Sequence, residues 1–263
     1  MKNKTMRVAA LLLALTLMTS CFVGGTFAKY VTGAETQDTA RVAKWGVMLT
    51  VSGDGIFSKE YEDGNKTVIS SNTDKLVAPG TKNDTGITFT IKGTPEVAFK
   101  VTVGLGTNED VFLKADTYTD YTELKVQPDG SYKYEEFTLA KDYYPVVFTL
   151  KHTYANGAQS IAAAVAGTGA KVETSDGLDT ITGTLAQINA VLANVTANMQ
   201  NVAPNYVLDD DFELTWAWAF GDPANNKADT LLGNLAAGTA SIDTANYNLE
   251  LEYNFSITIE QLD

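Results

Sequence analysis

The chain is poor in the residues that carry covalent and metal chemistry. It has one cysteine and one histidine among 263 residues. The cysteine, Cys21, lies in an N-terminal apolar run and has no second thiol to pair with. The histidine, His152, has no His-Glu-x-x-His context, which removes a helix-borne zinc protease site. No Gly-x-Ser-x-Gly elbow accompanies it, so the usual sign of a serine hydrolase is missing. No glycine-rich phosphate loop occurs. His152 therefore reads as a surface or core filler. Basic residues are scarce too, 19 against 32 acidic ones, for a net charge of −13. So acidic a surface repels phosphate backbones and anionic lipid, and nucleic acid is excluded as a partner.

What is present begins at the N-terminus. Lys2, Lys4 and Arg7 precede an apolar run over residues 8–23, and small residues follow to Thr26, Phe27 and Ala28. This is the layout of a secretory signal peptide over 1–28, with cleavage expected between Ala28 and Lys29. The run falls short of the about 20 apolar residues of a spanning helix. No later stretch approaches that length, so no membrane span is expected after cleavage. Met18-Thr19-Ser20-Cys21 offers a second reading as a loose lipoprotein box. A lipid on Cys21 would turn a soluble protein into an anchored one. Cleavage after Ala28 leaves 235 residues with no cysteine, and 16 basic against 32 acidic residues, a net charge of −16. A chain of that size buries a sizeable core without disulfides.

Residues 29–44 are polar and weakly patterned. Period-two alternation then dominates. Val47, Leu49 and Val51 alternate with polar neighbours, as do Ile87, Phe89 and Ile91, then Val97 to Leu105, then Val146, Phe148 and Leu150. Phe212, Leu214, Trp216, Trp218 and Phe220 line one face of another run. Tyr247 to Ile259 is the longest alternation. Strict period two marks strands with one buried face. Turn signals lie between them at Val77-Ala78-Pro79-Gly80, Gly93-Thr94-Pro95, Pro128-Asp129-Gly130 and Ala155-Asn156-Gly157. The pattern predicts an all-β fold, a two-sheet jelly-roll-like sandwich with inserted helices. One domain over 45–263 is expected, with a helical insertion at about 155–205. Within it, Leu185, Ile188, Leu192, Val195 and Met199 have helical spacing, and Thr184 with Gln187 reads as a capping box. Residues 160–182 are expected to be partly loop. A second short helix places Leu231, Leu232 and Leu235 inward, ahead of Gly238.

Two residue groups have competing readings. Asp209, Asp210, Asp211, Asp222 and Asp229 are the sort of carboxylates that calcium takes as ligands. Their spacing matches no defined calcium loop, so a solvated turn and helix capping are expected, with no cofactor. Trp45, Trp216 and Trp218 would suit a sugar-binding face. Trp216 and Trp218 share parity with Leu214 and Phe220, however, and core is the expected role.

One order of motifs resembles a known family. Gly24-Gly25-Thr26-Phe27-Ala28-Lys29-Tyr30 closes the signal, and a polar segment leads to the first strand. Leu76-Val77-Ala78-Pro79-Gly80 precedes the strands at 87–91 and 97–105, and the chain closes on a long alternating strand. This resembles the TasA/camelysin family of secreted proteins, as a divergent member. It departs from the pattern at Lys29-Tyr30 and at Asn225-Asn226-Lys227-Ala228-Asp229-Thr230 after the tryptophan strand. The resemblance implies a jelly roll with helical decorations and processing by a dedicated signal peptidase. It also implies self-association as a structural subunit of extracellular biofilm-matrix fibres, without enzymatic activity. In such fibres the freed N-terminal segment completes a sheet of the next subunit. Here the donor strand would come from residues 29–44, with Tyr30, Val31, Ala34 and Val42 as its apolar side chains. A sheet edge carries unpaired N–H and C=O groups that an added strand satisfies. A terminus that stays disordered or docks on its own subunit is the competing reading. The competing function is a cell-surface binding module for sugar or calcium, lipid-anchored through Cys21.

Overall fold

The computed structural model describes residues 42–53, 55–58, 75–107, 111–155, 160–198, 207–219 and 225–262. The signal segment with Cys21, the cleavage pair Ala28 and Lys29, and the donor residues Tyr30, Val31 and Ala34 lie outside the described residues, as do Met199, Phe220, Asp222 and the Asn156-Gly157 turn.

The strands are β1 (Val47–Ser52), β2 (Lys82–Gly93), β3 (Phe99–Thr107), β4 (Thr117–Val126), β5 (Tyr132–Thr138), β6 (Val146–Tyr154), β7 (Lys171–Ser175), β8 (Leu178–Gly183), β9 (Leu208–Trp218) and β10 (Tyr253–Gln261). Two helices join them, α1 (Leu185–Asn198) and α2 (Asn226–Ala236). Six strands form one antiparallel sheet in the order β1-β2-β9-β6-β8-β7. β10 and β3 pair antiparallel as a smaller sheet, and β4 and β5 form a separate ribbon. The result is an all-β antiparallel sandwich with inserted helices.

Alternation builds the core. Ile87, Phe89 and Ile91 of β2, Phe212, Leu214, Trp216 and Trp218 of β9, and Val146, Phe148 and Leu150 of β6 all point to the buried side. Phe99 and Val101 of β3 are fully buried, and Tyr253, Phe255, Ile257 and Ile259 of β10 pack against the same core. Phe89 stacks on Phe212 at 4.4 Å and meets Phe255 at 5.0 Å, which links the two sheets. β2 bends where its register against β9 shifts between Asn83 and Ile87. Gly86 allows that bend, because a Cβ there would lie 1.7 Å from the Leu214 carbonyl oxygen.

The Pro79-Gly80 turn is formed as the sequence predicts. Thr81 N–H donates to the Ala78 carbonyl at 3.0 Å, and Gly80 takes φ +84°, a value that the third position of a type II turn requires. Two backbone bonds of 2.8 Å, Gly80 N–H to Trp218 O and Trp218 N–H to Thr81 O, pin the turn to the end of β9. The capping box at α1 is also formed. Gln187 N–H donates to Thr184 Oγ1 at 3.3 Å, and Thr184 N–H donates to Gln187 Oε1 at 2.9 Å. In α2, Ala228, Leu231, Leu232 and Leu235 are buried. Lys227 Nζ, 2.6 Å from Asp120 Oδ2, ties that helix to β4.

Three expectations are corrected. Residues 160–182 are partly loop as expected, but β7 and β8 also lie in them, where only helix and loop were expected, and these strands extend the large sheet. The β4–β5 ribbon, for which only its Pro128-Asp129-Gly130 turn was legible, is a hairpin. Its second strand is exposed at every position but Phe137, so no one-sided alternation marks it. The last strand begins at Tyr253. Tyr247 instead makes an isolated bridge to Leu113.

Candidate functional site

The smaller sheet is the feature that most invites a partner. β10 pairs with β3 from Tyr253↔Thr107 to Gln261↔Phe99. Among the described residues no strand lies on its other edge, and β1 likewise pairs only with β2. Two strands thus face six. A cleft of about 600 Å³ opens beside this step, lined by Val51, Ile56, Phe57, Ile87, Tyr253 and Phe255. These side chains line it because period two sends Val51 and Ile87 from one sheet, and Tyr253 and Phe255 from the other, toward the same interior. β1 adds exposed Met48, Leu49 and Val51. The Tyr253 hydroxyl is buried with no hydrogen-bond partner among the described residues, and that burial pushes its phenol well above the usual tyrosine range. Chemically the arrangement offers, among the described residues, an open strand edge beside a trough of mixed lining, in which Lys75 and Glu252 stand among the apolar side chains. An extended peptide could add main-chain hydrogen bonds along the edge and seat alternate side chains in the trough.

Of the predicted donor residues, Val42 is described, and its side chain is 76% exposed. Trp216 and Trp218 are buried, as expected, while Trp45 is 37% exposed. Trp216 Nε1 donates to the Ile56 carbonyl at 2.6 Å, fastening the segment after β1 to the core.

The acidic run Asp209-Asp210-Asp211 corrects a further expectation. It is part of β9 rather than a solvated turn. Asp209 and Asp211 face outward and hold Lys92 Nζ at 3.2 and 3.1 Å. Asp210 faces inward and is 1% exposed. Asp229 lies in the first turn of α2 and accepts a 2.6 Å hydrogen bond from the Tyr143 hydroxyl. Among the described residues no three His, Cys, Asp or Glu side chains are grouped to hold a metal ion.

Asp210 belongs to a buried polar cluster spanning three neighbouring strands. His152 Nε2 lies 2.8 Å from Asp210 Oδ1, and His152 Nδ1 lies 3.4 Å from Asp179 Oδ2. The imidazole stacks on Phe212 at 4.5 Å. Asp179 also accepts from Ser160 Oγ at 2.8 Å, Thr174 Oγ1 at 2.9 Å and the Ile161 N–H at 2.8 Å. Burial alone would raise the Asp179 carboxyl. The hydrogen bonds from Ser160, Thr174, Ile161 and His152 outweigh it and hold the carboxyl below its usual value. His152 is a core residue, one of the two places expected for it, and there it joins two carboxylates rather than only filling space.

The cluster is built as a cross-link. His152 and Asp179 have no exposed surface, so no substrate reaches the ring. Ser160 contacts the carboxylate of Asp179, whereas a hydrolytic triad needs the imidazole on the hydroxyl. The signal for these residues was present in the alternation. Two steps back from Phe212 comes Asp210, and two steps on from Leu150 comes His152.

No known protein family, curated protein or solved structure matches the chain.

Proposed function

We propose that this chain is a secreted structural subunit of extracellular fibres, and that it assembles by donating its N-terminal segment, residues 29–44, to the next subunit. The observation that carries this reading is that, among the described residues, β10 pairs on one side only, in a two-stranded sheet beside the trough. Three further features support it. A signal-like leader ends at Ala28, so processing would free a segment directly ahead of β1. That segment holds Tyr30, Val31, Ala34 and Val42 as the apolar side chains that an added strand would present. The acidic surface keeps free subunits soluble until a specific edge-to-edge contact forms. On this reading the role is non-enzymatic and needs no cofactor.

Electron microscopy of protein beginning at Lys29 tests the proposal. Fibres are expected from that form and not from protein beginning at Lys44. Persistent monomers across a range of pH and concentration would count against it.

A further inference from the structure

The trough beside β10 has two charged residues in its lining, Lys75 and Glu252, and their surroundings differ. Asn254 Nδ2 donates to Glu252 Oε1 at 3.4 Å, so the carboxylate is engaged within its own chain. Lys75 has no carboxylate within ion-pair distance among the described residues. The position of its amine is fixed by Gly55, another residue of the lining. A Cβ there would stand 3.5 Å from Lys75 Nζ. The ammonium group therefore stands over Gly55 at the trough, and Lys75 is exposed to an arriving strand. A cation in that place favours a strand that brings a carboxylate to it and repels one that brings a second cation.

Period two selects the carboxylate. Alternate residues of an extended segment share a face. Over residues 30–42 the even-numbered face holds Tyr30, Ala34, Ala40 and Val42, two threonines, and a single charge, Asp38. The odd-numbered face holds Lys29, Glu35, Gln37 and Arg41 beside Val31, and it suits solvent. Length is sufficient as well. β10 has nine residues, and residues 29–41 can run along all of it at about 3.4 Å per residue with slack left before Val42.

We infer that Asp38 of one subunit pairs with Lys75 of the next and sets the register of the donated strand, a role that rests on the strand donation proposed above. The lone charge on the even face is what makes register specific. A slip of one residue turns Asp38 to the face away from Lys75, and a slip of two carries it about 7 Å along the strand.

The test compares protein beginning at Lys29 with its variants at low salt, by light scattering and electron microscopy. Asp38→Lys and Lys75→Glu each bring like charges together and should raise the concentration needed for fibres about tenfold. Glu35→Lys changes the net charge as Asp38→Lys does, but on the opposite face, and should assemble within about twofold of the unaltered chain. The two impaired variants are then mixed. In an alternating fibre every contact again joins opposite charges, so the mixture should assemble near the unaltered concentration although neither variant does so alone. A chain carrying both substitutions should do the same. A mixture that fails while the double variant assembles would place Asp38 against its own subunit and overturn the contact between subunits. Failure of both, with folds intact by circular dichroism, overturns the pair, as does a Glu35→Lys chain impaired as much as Asp38→Lys. Normal fibres from each single variant overturn the pair and leave strand donation standing. An unaltered chain that forms no fibres overturns strand donation and the pair together.

Discussion

His152 Nε2 and Asp210 Oδ1 lie 2.8 Å apart inside the sandwich, on the inward faces of the neighbouring strands β6 and β9. A charged or strongly polar pair in that position holds β8, β6 and β9 in one register. A one-residue slip would turn His152 and Asp210 to opposite faces.

Breaking that pair from one side should be severe. Asp210→Ala leaves His152 buried without its closer partner and should destabilise the fold by about 3 kcal/mol. Urea unfolding followed by tryptophan fluorescence measures it. His152→Phe with Asp210→Leu removes both partners and should cost clearly less than Asp210→Ala alone. A double variant as unstable as the single one would refute the cross-link.

Acid should loosen the insertion first. The Asp179 carboxyl is held below its ordinary value in the folded chain. Such a group contributes stability that is present above its unfolded value, about 4, and is lost as pH falls through the folded value. Asp179 ties β7, β8 and the Ser160-Ile161 segment together. Amide exchange in β7 should therefore rise below about pH 4, ahead of exchange in β9. In Asp179→Asn this acid step should disappear, with β7 already less protected at neutral pH.

Two glycines should respond in opposite directions. Gly86→Ala drives a Cβ into the Leu214 carbonyl and should destabilise by about 2 kcal/mol or more. Gly233→Ala meets open space inside a helix and should stabilise by about 0.5–1 kcal/mol. Thermal melts of the two variants decide this. A destabilised Gly233→Ala would mean that the glycine serves the fold itself.

Fibre assembly should be blocked by the isolated donor. A synthetic peptide of residues 29–44, added in excess before assembly, is expected to occupy the β10 edge and shorten fibres or prevent them. A scrambled peptide of the same composition should do neither. Light scattering with electron microscopy reads both. A peptide without effect on fibres that do form would place the subunit contact elsewhere.

Much of the fold was legible because it rests on one-sided burial. β2, β6 and β9 announce themselves by alternation, since each has one apolar face against the core. The Pro79-Gly80 turn and the Thr184–Gln187 box were legible because each is a local hydrogen-bonding unit within four residues. The β4–β5 ribbon was not. Tyr132, Tyr134, Leu124 and Val126 remain exposed at its outer half, so burial leaves no mark on its sequence. β7 and β8 were missed for a related reason: they are short and rich in threonine, and their pairing depends on β6 being alongside.

Taken alone, the sequence determined the class of the protein. Its alternation demanded antiparallel sheets, and its single cysteine and single histidine leave no second residue of either kind for an internal disulfide or a multi-histidine metal site. Those properties depend on composition and on neighbours two or four residues apart. Tertiary structure decided which strands lie beside which, and so which residues meet. It brought His152 between Asp179 and Asp210, although 27 and 58 residues separate them. It left β10 paired on one side among the described residues, and it brought Gly233 and Trp218 into the lining of one pocket. Pairing across a sheet links residues far apart in the chain, and no period within a single strand encodes its neighbour.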